Sequence, residues 1–251
     1  MLKIILSGCS GKMGSVISEI VADDASCEII AGVDPYFKEG IKFPVYPTFN
    51  DLPVCDVIID FSNPAALDGM LQYSKKYAVP TVIATTGYSD SDIKKIKEAA
   101  KFAPIFFTFN MSLGINLLTS LVRRTTDILG SDFDIEIIER HHNQKIDAPS
   151  GTAIMLANAI NDSLDNKMVY EYDRHSKREK RSKNEIGIHS VRGGTYVGEH
   201  EVIFAGNNEV ITLTHQAFSK NVFAFGAVKA AKFLSDKPNG VYDMNDLINE
   251  K

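Results

Sequence analysis

Between residues 3 and 109, short apolar runs alternate with segments of helical period, and this alternation limits the possible folds more than any other feature. "KIILS", "EIIAGV", "DVIIDF", "TVIATT" and "PIFFTF" are unbroken or nearly unbroken in apolar residues, chiefly Ile, Val and Phe. A strand with one face in water alternates apolar and polar residues. A strand apolar throughout is buried on both faces, as in a parallel sheet covered by helices. "KMGSVISEIVADD", "NPAALDGMLQYSKKY" and "SDSDIKKIKEAAK" supply those helices, with caps and first-turn residues at Asn63-Pro64 and Ser89 to Ser91. Successive βαβ units predict an α/β fold built on a parallel sheet.

After "FNMSLGIN" the pattern changes. A helix, "LLTSLVRRTTDIL", leads to the alternating "FDIEIIE", then to "ERHHNQKIDAPSGTA" and a further helix, "TAIMLANAINDSL". Three strand-like runs follow, "EIGIHSV", "TYVGEHEVIFA" and "EVITLTHQA", separated by Gly193-Gly194 and Asn207-Asn208. Gly and Asn tolerate positive φ and suit hairpin turns, so an open, largely antiparallel sheet is expected here. "NVFAFGAVKAAKFL" returns to a helical period, "KPNG" reads as a turn, and no internal repeat is visible. The basic run "DRHSKREKRSKNE" reads as a solvated loop; the second reading bends it over a binding pocket, adding positive potential.

At 251 residues the chain has room for one large or two modest domains. A formal charge of −5 argues against a general nucleic-acid partner, because no net basic field attracts phosphates. No apolar run approaches the ~20 residues that span a bilayer, so no membrane partner is expected. "MLKIILSGCSGKMG" superficially resembles a lipoprotein cleavage site. Its apolar run is far shorter than an h-region of roughly 7–15 residues, so it reads as the first strand. Cys9, Cys27 and Cys55 are odd in number and lack framework spacing, which predicts reduced thiols and a cytoplasmic location.

Gly8, Gly11 and Gly14 stand between the first strand and the first helix. Glycine permits a tight turn and close approach of backbone to a pyrophosphate, and the helix start behind it supplies N–H donors. The spacing is G-x-x-G-x-x-G, with Asp34 ending the second strand 20 residues after Gly14, where a carboxylate accepts hydrogen bonds from an adenosine ribose. That carboxylate repels a 2′-phosphate, and Pro35 rather than an arginine follows it. NADH is therefore expected to serve at least as well as NADPH, with Lys38 the nearby basic candidate. "ATTGY" and "FTFNM" are expected at the sheet's carboxyl edge, where Thr85, Thr86 and Asn110 are either ribose and nicotinamide contacts or ordinary caps and turns.

"ERHHNQKIDAPSGTA" gathers two histidines and a lysine just before a helix start. Ser150 is a good N-cap, so the first-turn amides of Gly151, Thr152 and Ala153 point out of the helix, and Gly151 admits a ligand closely. Lys145 offers an ammonium, and imidazoles titrate near pH 6.5. The combination suits a doubly negative small molecule. Adjacent histidines also serve structurally or as metal ligands, but here they lack i, i+4 spacing and nearby cysteines, so no metal is expected. His175, His189, His200 and His215 read as structural.

The segment E-x-H-H-x-x-K-x-D-A-P-S-G-T-A resembles the signature of the dihydrodipicolinate reductase (4-hydroxy-tetrahydrodipicolinate reductase) family. The resemblance continues through "GCSGKMG", "DFSNP", "ATTGY", "NMSLGIN", "FDIEIIE", "RGGTYVGEHEVIFAG" and "KPNGVYDM". It implies a Rossmann-like dinucleotide domain formed by residues 1–112 and 221–251, and a substrate and oligomerisation domain at 113–220. It also implies a homotetramer paired through the second sheet. By this resemblance His141 is the proton donor/acceptor and Lys145 a second proton donor, while His142, Ser150, Gly151, Thr152 and Lys220 hold a small dicarboxylate. Gly8, Cys9, Ser10, Gly11, Lys12, Met13, Asp34, Ala84, Thr85, Thr86, Thr108, Phe109, Asn110 and Met111 would line NADH or NADPH. Two residues depart from the family pattern: Phe225 replaces the asparagine of "FANGA", and Pro35 replaces a basic residue.

The implied reaction reduces 4-hydroxy-tetrahydrodipicolinate with loss of water, in the diaminopimelate route to lysine. It also implies a hinged closure, because hydride transfer needs near-contact and exclusion of water. Two alternatives use the same glycine loop: a dinucleotide-sensing regulator without catalysis, and another reductase such as an aspartate dehydrogenase. The first leaves the His-His…Lys cluster without a purpose, and the second leaves the second carboxylate site without one.

Overall fold

The structure, a computed structural model, describes residues 1–37 and 39–250; Lys38, the basic candidate beside Asp34, lies outside these residues. Its chain divides into two compact units, Met1–Leu113 with Asn221–Lys251, and Gly114–Lys220.

The first unit contains β1 (Leu2–Ser7), α1 (Lys12–Ala22), β2 (Cys27–Val33), β3 (Val45–Tyr46), β4 (Val57–Asp60), α2 (Leu67–Tyr77), β5 (Thr81–Ile83), α3 (Asp90–Ala99) and β6 (Pro104–Phe107). The strands lie in the order β3-β2-β1-β4-β5-β6 with every pairing parallel. The unbroken apolar runs have the expected cause. Ile4, Leu6, Val57 and Ile59 face one core, while Ile5, Ile58, Ile83 and Ile105 face the other. Ile17 and Val21 of α1 close the first core; Leu67, Met70 and Leu71 of α2 and Ile96 of α3 close the second. Ser89 caps α3 in a reciprocal box with Asp92, and Asn63 accepts from the Ala65 amide ahead of α2. This topology delivers Gly8, Asp34, Phe61 and Ala84, each one residue past its strand, to the carboxyl edge of the sheet, where such sheets bind ligands.

In the second unit α4 (Leu113–Leu129, its first residue belonging to the first unit) is followed by β7 (Asp134–His141), α5 (Gly151–Ser163), β8 (Val169–Glu171), β9 (Glu185–Arg192), β10 (Gly198–Ala205) and β11 (Val210–Ala217). The sheet order is β11-β10-β7-β9-β8. β11 with β10 and β10 with β7 are antiparallel; β7 with β9 and β8 with β9 are parallel. Along β7, Ile135, Ile137, Glu139 and His141 are buried on one face, while Glu136, Ile138 and Arg140 alternate on the other.

One expectation is corrected here. Asn207-Asn208 does turn a hairpin, with Asn208 at φ 67°, but Gly193-Gly194 does not, because β7 lies between β9 and β10. The glycine pair instead crosses the end of β7, where the Gly193 amide donates to the His141 carbonyl at 3.0 Å. The basic run forms a largely exposed loop between β8 and β9, in line with its favoured reading as a solvated loop. Arg181 pairs with Asp134 and Glu136 at 2.8 and 3.0 Å, and Arg174 pairs with Glu136 and Glu185. Glu136 sits on the opposite face of β7 from Glu139, and these carboxylates fix the loop there.

The chain then returns to the first unit through α6 (Asn221–Leu234), β12 (Gly240–Tyr242) and α7 (Met244–Asn249). β12 extends the parallel sheet beside β6, so Gly240 opens a strand as well as ending the "KPNG" turn. Ala224, Ala227 and Ala231 of α6 complete the first core. A Cβ at Gly226 would overlap the Met111 carbonyl, so helix and chain need a glycine there. Phe225 beside it is half-exposed, and its departure from the family pattern leaves this contact intact. No helix of the described residues is long and apolar enough to cross a membrane.

Candidate active site

In the first unit, Gly8 turns the chain at φ 78° as β1 ends, and a Cβ there would stand within 3 Å of the Phe61 carbonyl. A Cβ at Gly14 would overlap the Gly8 and Cys9 carbonyls, which packs α1 tightly behind the loop. Gly11 begins α1 in extended conformation without a side-chain cap, leaving the helix start to its backbone donors. The Asp34 carboxylate is anchored by the Ser10 amide at 3.1 Å and the Tyr36 amide at 2.9 Å. A cavity of about 410 Å³ opens beside these groups, lined among others by Gly8, Gly11, Asp34, Tyr36, Phe49 and Phe61. A glycine turn, a bare helix start, an anchored carboxylate and apolar walls together fit an adenine dinucleotide. Tyr36, Phe49 and Phe61 were not singled out from sequence, because they lie on three separate connections.

The other expected cofactor residues occupy different settings. Cys9 and Met111 are buried in the core, Met13 packs on its edge, and Lys12 is exposed on the first turn of α1. Ala84 is buried and Thr86 exposed, while the Thr85 hydroxyl accepts from the Ser62 amide at 2.9 Å. Thr108 and Asn110 bond each other, the Ser112 amide donates to Asn110 Oδ1, and Phe109 is exposed.

In the second unit the cluster is built by strand register. Glu139 and His141 share a face of β7, and the ring Nδ1 lies 2.6 Å from Glu139 Oε2. β9 sets Arg192 opposite His141, and β10 sets His200 opposite Glu139. Arg192 grips Glu139 with both terminal nitrogens, Nη1 to Oε2 at 2.7 Å and Nη2 to Oε1 at 2.6 Å. The Ser150 amide donates to Oε1 at 3.0 Å, joining the cluster to the start of α5. Burial works to raise the Glu139 carboxyl, but Arg192, His141, Ser190 and the Ser150 amide outweigh it and hold it down to about 2. Burial lowers the His141 imidazole below its usual value, Glu139 opposes this, and Lys145 and Arg192 add to the lowering.

Ser150 caps α5 as expected, accepting from the Ala153 amide at 3.2 Å, and its Oγ also lies 3.0 Å from His200 Nε2. Ser150 is 2% exposed, and its hydroxyl is engaged in the interior. Around Gly151 nothing lies within 4 Å of a would-be Cβ, leaving open approach to the helix start. Lys145 Nζ pairs with Asp147 at 2.8 Å. His142 is partly buried next to His141, and Lys220 is exposed in the turn before α6, taking no part in the Glu139 cluster. Among the described residues no cluster of three or more His, Cys, Asp or Glu is arranged for a metal.

Sequence reading left Glu139, Arg192 and Gly198 without a role. The strand period could have paired Glu139 with His141, but Arg192 is brought in by a neighbouring strand some 50 residues away. Gly198 backs the catalytic candidate: a Cβ there would stand 3.1 Å from His141 Nε2.

His200 is the most strongly shifted histidine. Burial, with His141 beside it, lowers it to about 3, so its ring stays neutral in the folded chain. The unfolded ring titrates near pH 6.5 and binds a proton that the folded ring refuses. This contribution is therefore complete above about pH 6.5. It declines by about 1.4 kcal/mol per pH unit as pH falls towards 3. Glu139 adds a second loss between its unfolded value of about 4.5 and about 2. Urea unfolding from pH 7 to 5 should show this slope in the native chain and a flatter one in His200→Gln. Equal slopes would contradict it.

The comparisons with known proteins agree over the whole chain. Residues 2–111 match the model for the dihydrodipicolinate reductase N-terminus, and residues 114–248 match that for the C-terminus. The chain belongs to the dihydrodipicolinate reductase family. It is 50% identical over 252 residues to 4-hydroxy-tetrahydrodipicolinate reductase of Clostridium novyi (strain NT), covering all of both chains. It is 51% identical over 249 residues to the reductase of the same name from Caldanaerobacter subterraneus, covering 99% of this chain and 98% of that one. Among solved structures, a dipicolinate-bound dihydrodipicolinate reductase from Paenisporosarcina sp. TG-14 superposes with a TM-score of 0.81. It is 25% identical, with 98% of this chain and 99% of that one covered.

Proposed function

We propose that this dihydrodipicolinate reductase family member reduces 4-hydroxy-tetrahydrodipicolinate to tetrahydrodipicolinate with loss of water, in diaminopimelate and lysine biosynthesis. The observation that carries the reading is the buried Glu139–His141 pair beside Lys145 and the open start of α5, in a chain matching such reductases from end to end. When bound, the reduced nicotinamide supplies a hydride to C4 of the substrate ring. The chain's own residues do the rest. The glycine turn and the start of α1 receive the pyrophosphate, and Asp34 accepts from the ribose hydroxyls. The segments at 84–86 and 108–111 border the nicotinamide half.

Loss of the C4 hydroxyl together with a proton from the neighbouring carbon releases water and leaves a double bond. As C4 is reduced, His141 hands a proton from Nε2 to that neighbouring carbon, and Lys145 is the second proton donor. Lys145, His142 and the amides of Gly151 and Thr152, with the Thr152 hydroxyl, hold the two carboxylates as charge-assisted bonds. Lys145 exchanges its Asp147 partner for the substrate. Ser150 acts by fixing the helix start, and Lys220 adds positive potential.

Either reduced cofactor serves, with NADH at least as effective as NADPH. The support is the anchored Asp34 carboxylate followed by Pro35. Comparing kcat/KM should give NADH a value equal to or above that for NADPH. A preference for NADPH of about a hundredfold, some 2.7 kcal/mol, would overturn this. The working form is a cytoplasmic homotetramer paired through the second sheet; its support is the exposed Val210 and Ile211 along the edge strand β11. The sensor and aspartate dehydrogenase readings draw no support from the relatives. A substrate panel tests the assignment. Freshly generated 4-hydroxy-tetrahydrodipicolinate should consume the reduced cofactor, whereas oxaloacetate with ammonia should not; the reverse preference would sink the reading.

A further inference from the structure

Glu139 is a buried carboxylate that the reaction as described leaves without a task. It is 0% exposed, and both its oxygens are taken: Oε2 by His141 Nδ1 and Arg192 Nη1, Oε1 by Arg192 Nη2 and the Ser150 amide. Arg192 is itself tied down, donating from Nη2 to the Asp147 carbonyl and from Nη1 to the Val191 carbonyl, at 2.6 and 2.8 Å. The clamp thus reaches the backbone of the segment that carries Lys145. A planar guanidinium gripping a carboxylate through two parallel bonds fixes its plane as well as its charge. Core stability alone does not require such a group, since an ion pair this buried is often no more stable than apolar packing.

We infer that Glu139, held in plane by Arg192, is the positioning residue that sets the tautomer and orientation of His141 and couples that ring to the start of α5. The inference rests on the proton-transfer reading of His141. A carboxylate can only accept, so the ring must carry its hydrogen on Nδ1. Nε2 is left as the nitrogen that gains and loses the catalytic proton. When Nε2 gives its proton to the substrate carbon, the ring becomes neutral and keeps the Nδ1–H bond to Glu139. A proton from water then restores the imidazolium. In that charged form the Glu139 carboxylate stabilises the ring, while Arg192 keeps the carboxylate from taking the proton itself. Because the Ser150 amide shares Oε1, the same carboxylate fixes where the α5 amides stand relative to Nε2. Gly198 leaves the space that Nε2 needs.

The test combines a tautomer measurement on the native chain with two variants. In ¹⁵N-histidine-labelled native protein at alkaline pH, His141 should show a protonated Nδ1 and a bare Nε2. In Glu139→Gln, kcat should fall on the order of 10²-fold, with KM for the reduced cofactor unchanged. The limb of the kcat/KM pH profile that reports His141 should move to lower pH, because the carboxylate that favours the imidazolium is gone. Arg192→Lys keeps the charge but loses the two-bond grip. It should give a smaller fall in kcat and a mixed tautomer population, and it serves where Glu139→Gln fails to fold. A native ring protonated on Nε2, or an active variant with the native tautomer and pH profile, would overturn the inference. Absence of reductase activity in the native chain would instead sink the proposed function, leaving the tautomer result standing by itself.

Discussion

Replacing His141 by glutamine should lower kcat by roughly 10²–10⁴-fold while KM for the dicarboxylate changes only a few-fold. Glutamine keeps a polar group of similar reach beside Glu139 and leaves Lys145 and the α5 start in place, so ground-state binding survives. It has no titratable nitrogen, so the proposed proton-transfer step loses its donor. The native profile should have an inflection below the ordinary histidine value, since burial lowers this ring in the chain without substrate. That inflection should vanish in the variant. Steady-state kinetics across pH separates the possibilities: a rise in KM at constant kcat would make His141 a binding residue and remove it from the chemistry.

Lys145→Ala should damage both parameters. A charge-assisted bond contributes about 1.5–3 kcal/mol, equivalent to roughly 10- to 150-fold in KM. Turnover should fall further, because the proposed second proton donor is lost and the dianion sits less firmly before Nε2. The structure adds a further reason for a large effect. Asp147 pairs with Lys145 at 2.8 Å, and its carboxyl is held below the ordinary range by that lysine. Without the ammonium, Asp147 presents an unscreened negative charge to a doubly negative ligand. Lys145→Ala with Asp147→Asn should therefore recover part of the KM lost in the single variant. A single variant with native KM and kcat would show that the dicarboxylate is held elsewhere.

What the sequence made legible follows from how local each determinant is. β1, β4, β5 and β6 are visible as apolar runs because both faces are buried, and Ser89 and Asn63 mark helix starts through bonds within three residues. β3, β8 and β12, two or three residues each, are too short to show a period. Gly193-Gly194 reads as a hairpin because positive φ is a local property, whereas the identity of the neighbouring strand is not. The same limit governs the site. His141, Lys145 and Ser150 lie within one segment and could be read together. Glu139 acquires its meaning from Arg192 and His200, which arrive through the register of β9 and β10. Arg174 and Arg181 of the basic run are absorbed by Glu136, Glu185 and Asp134, partners that composition does not reveal.

The most direct measurement is a crystal structure with reduced cofactor and dipicolinate bound together. One carboxylate of dipicolinate should lie within hydrogen-bond distance of Lys145 Nζ and the amides of Gly151 and Thr152, with the ring edge facing His141 Nε2. Dipicolinate seated away from residues 141–152, or an imidazole turned with Nε2 towards Glu139, would contradict the account.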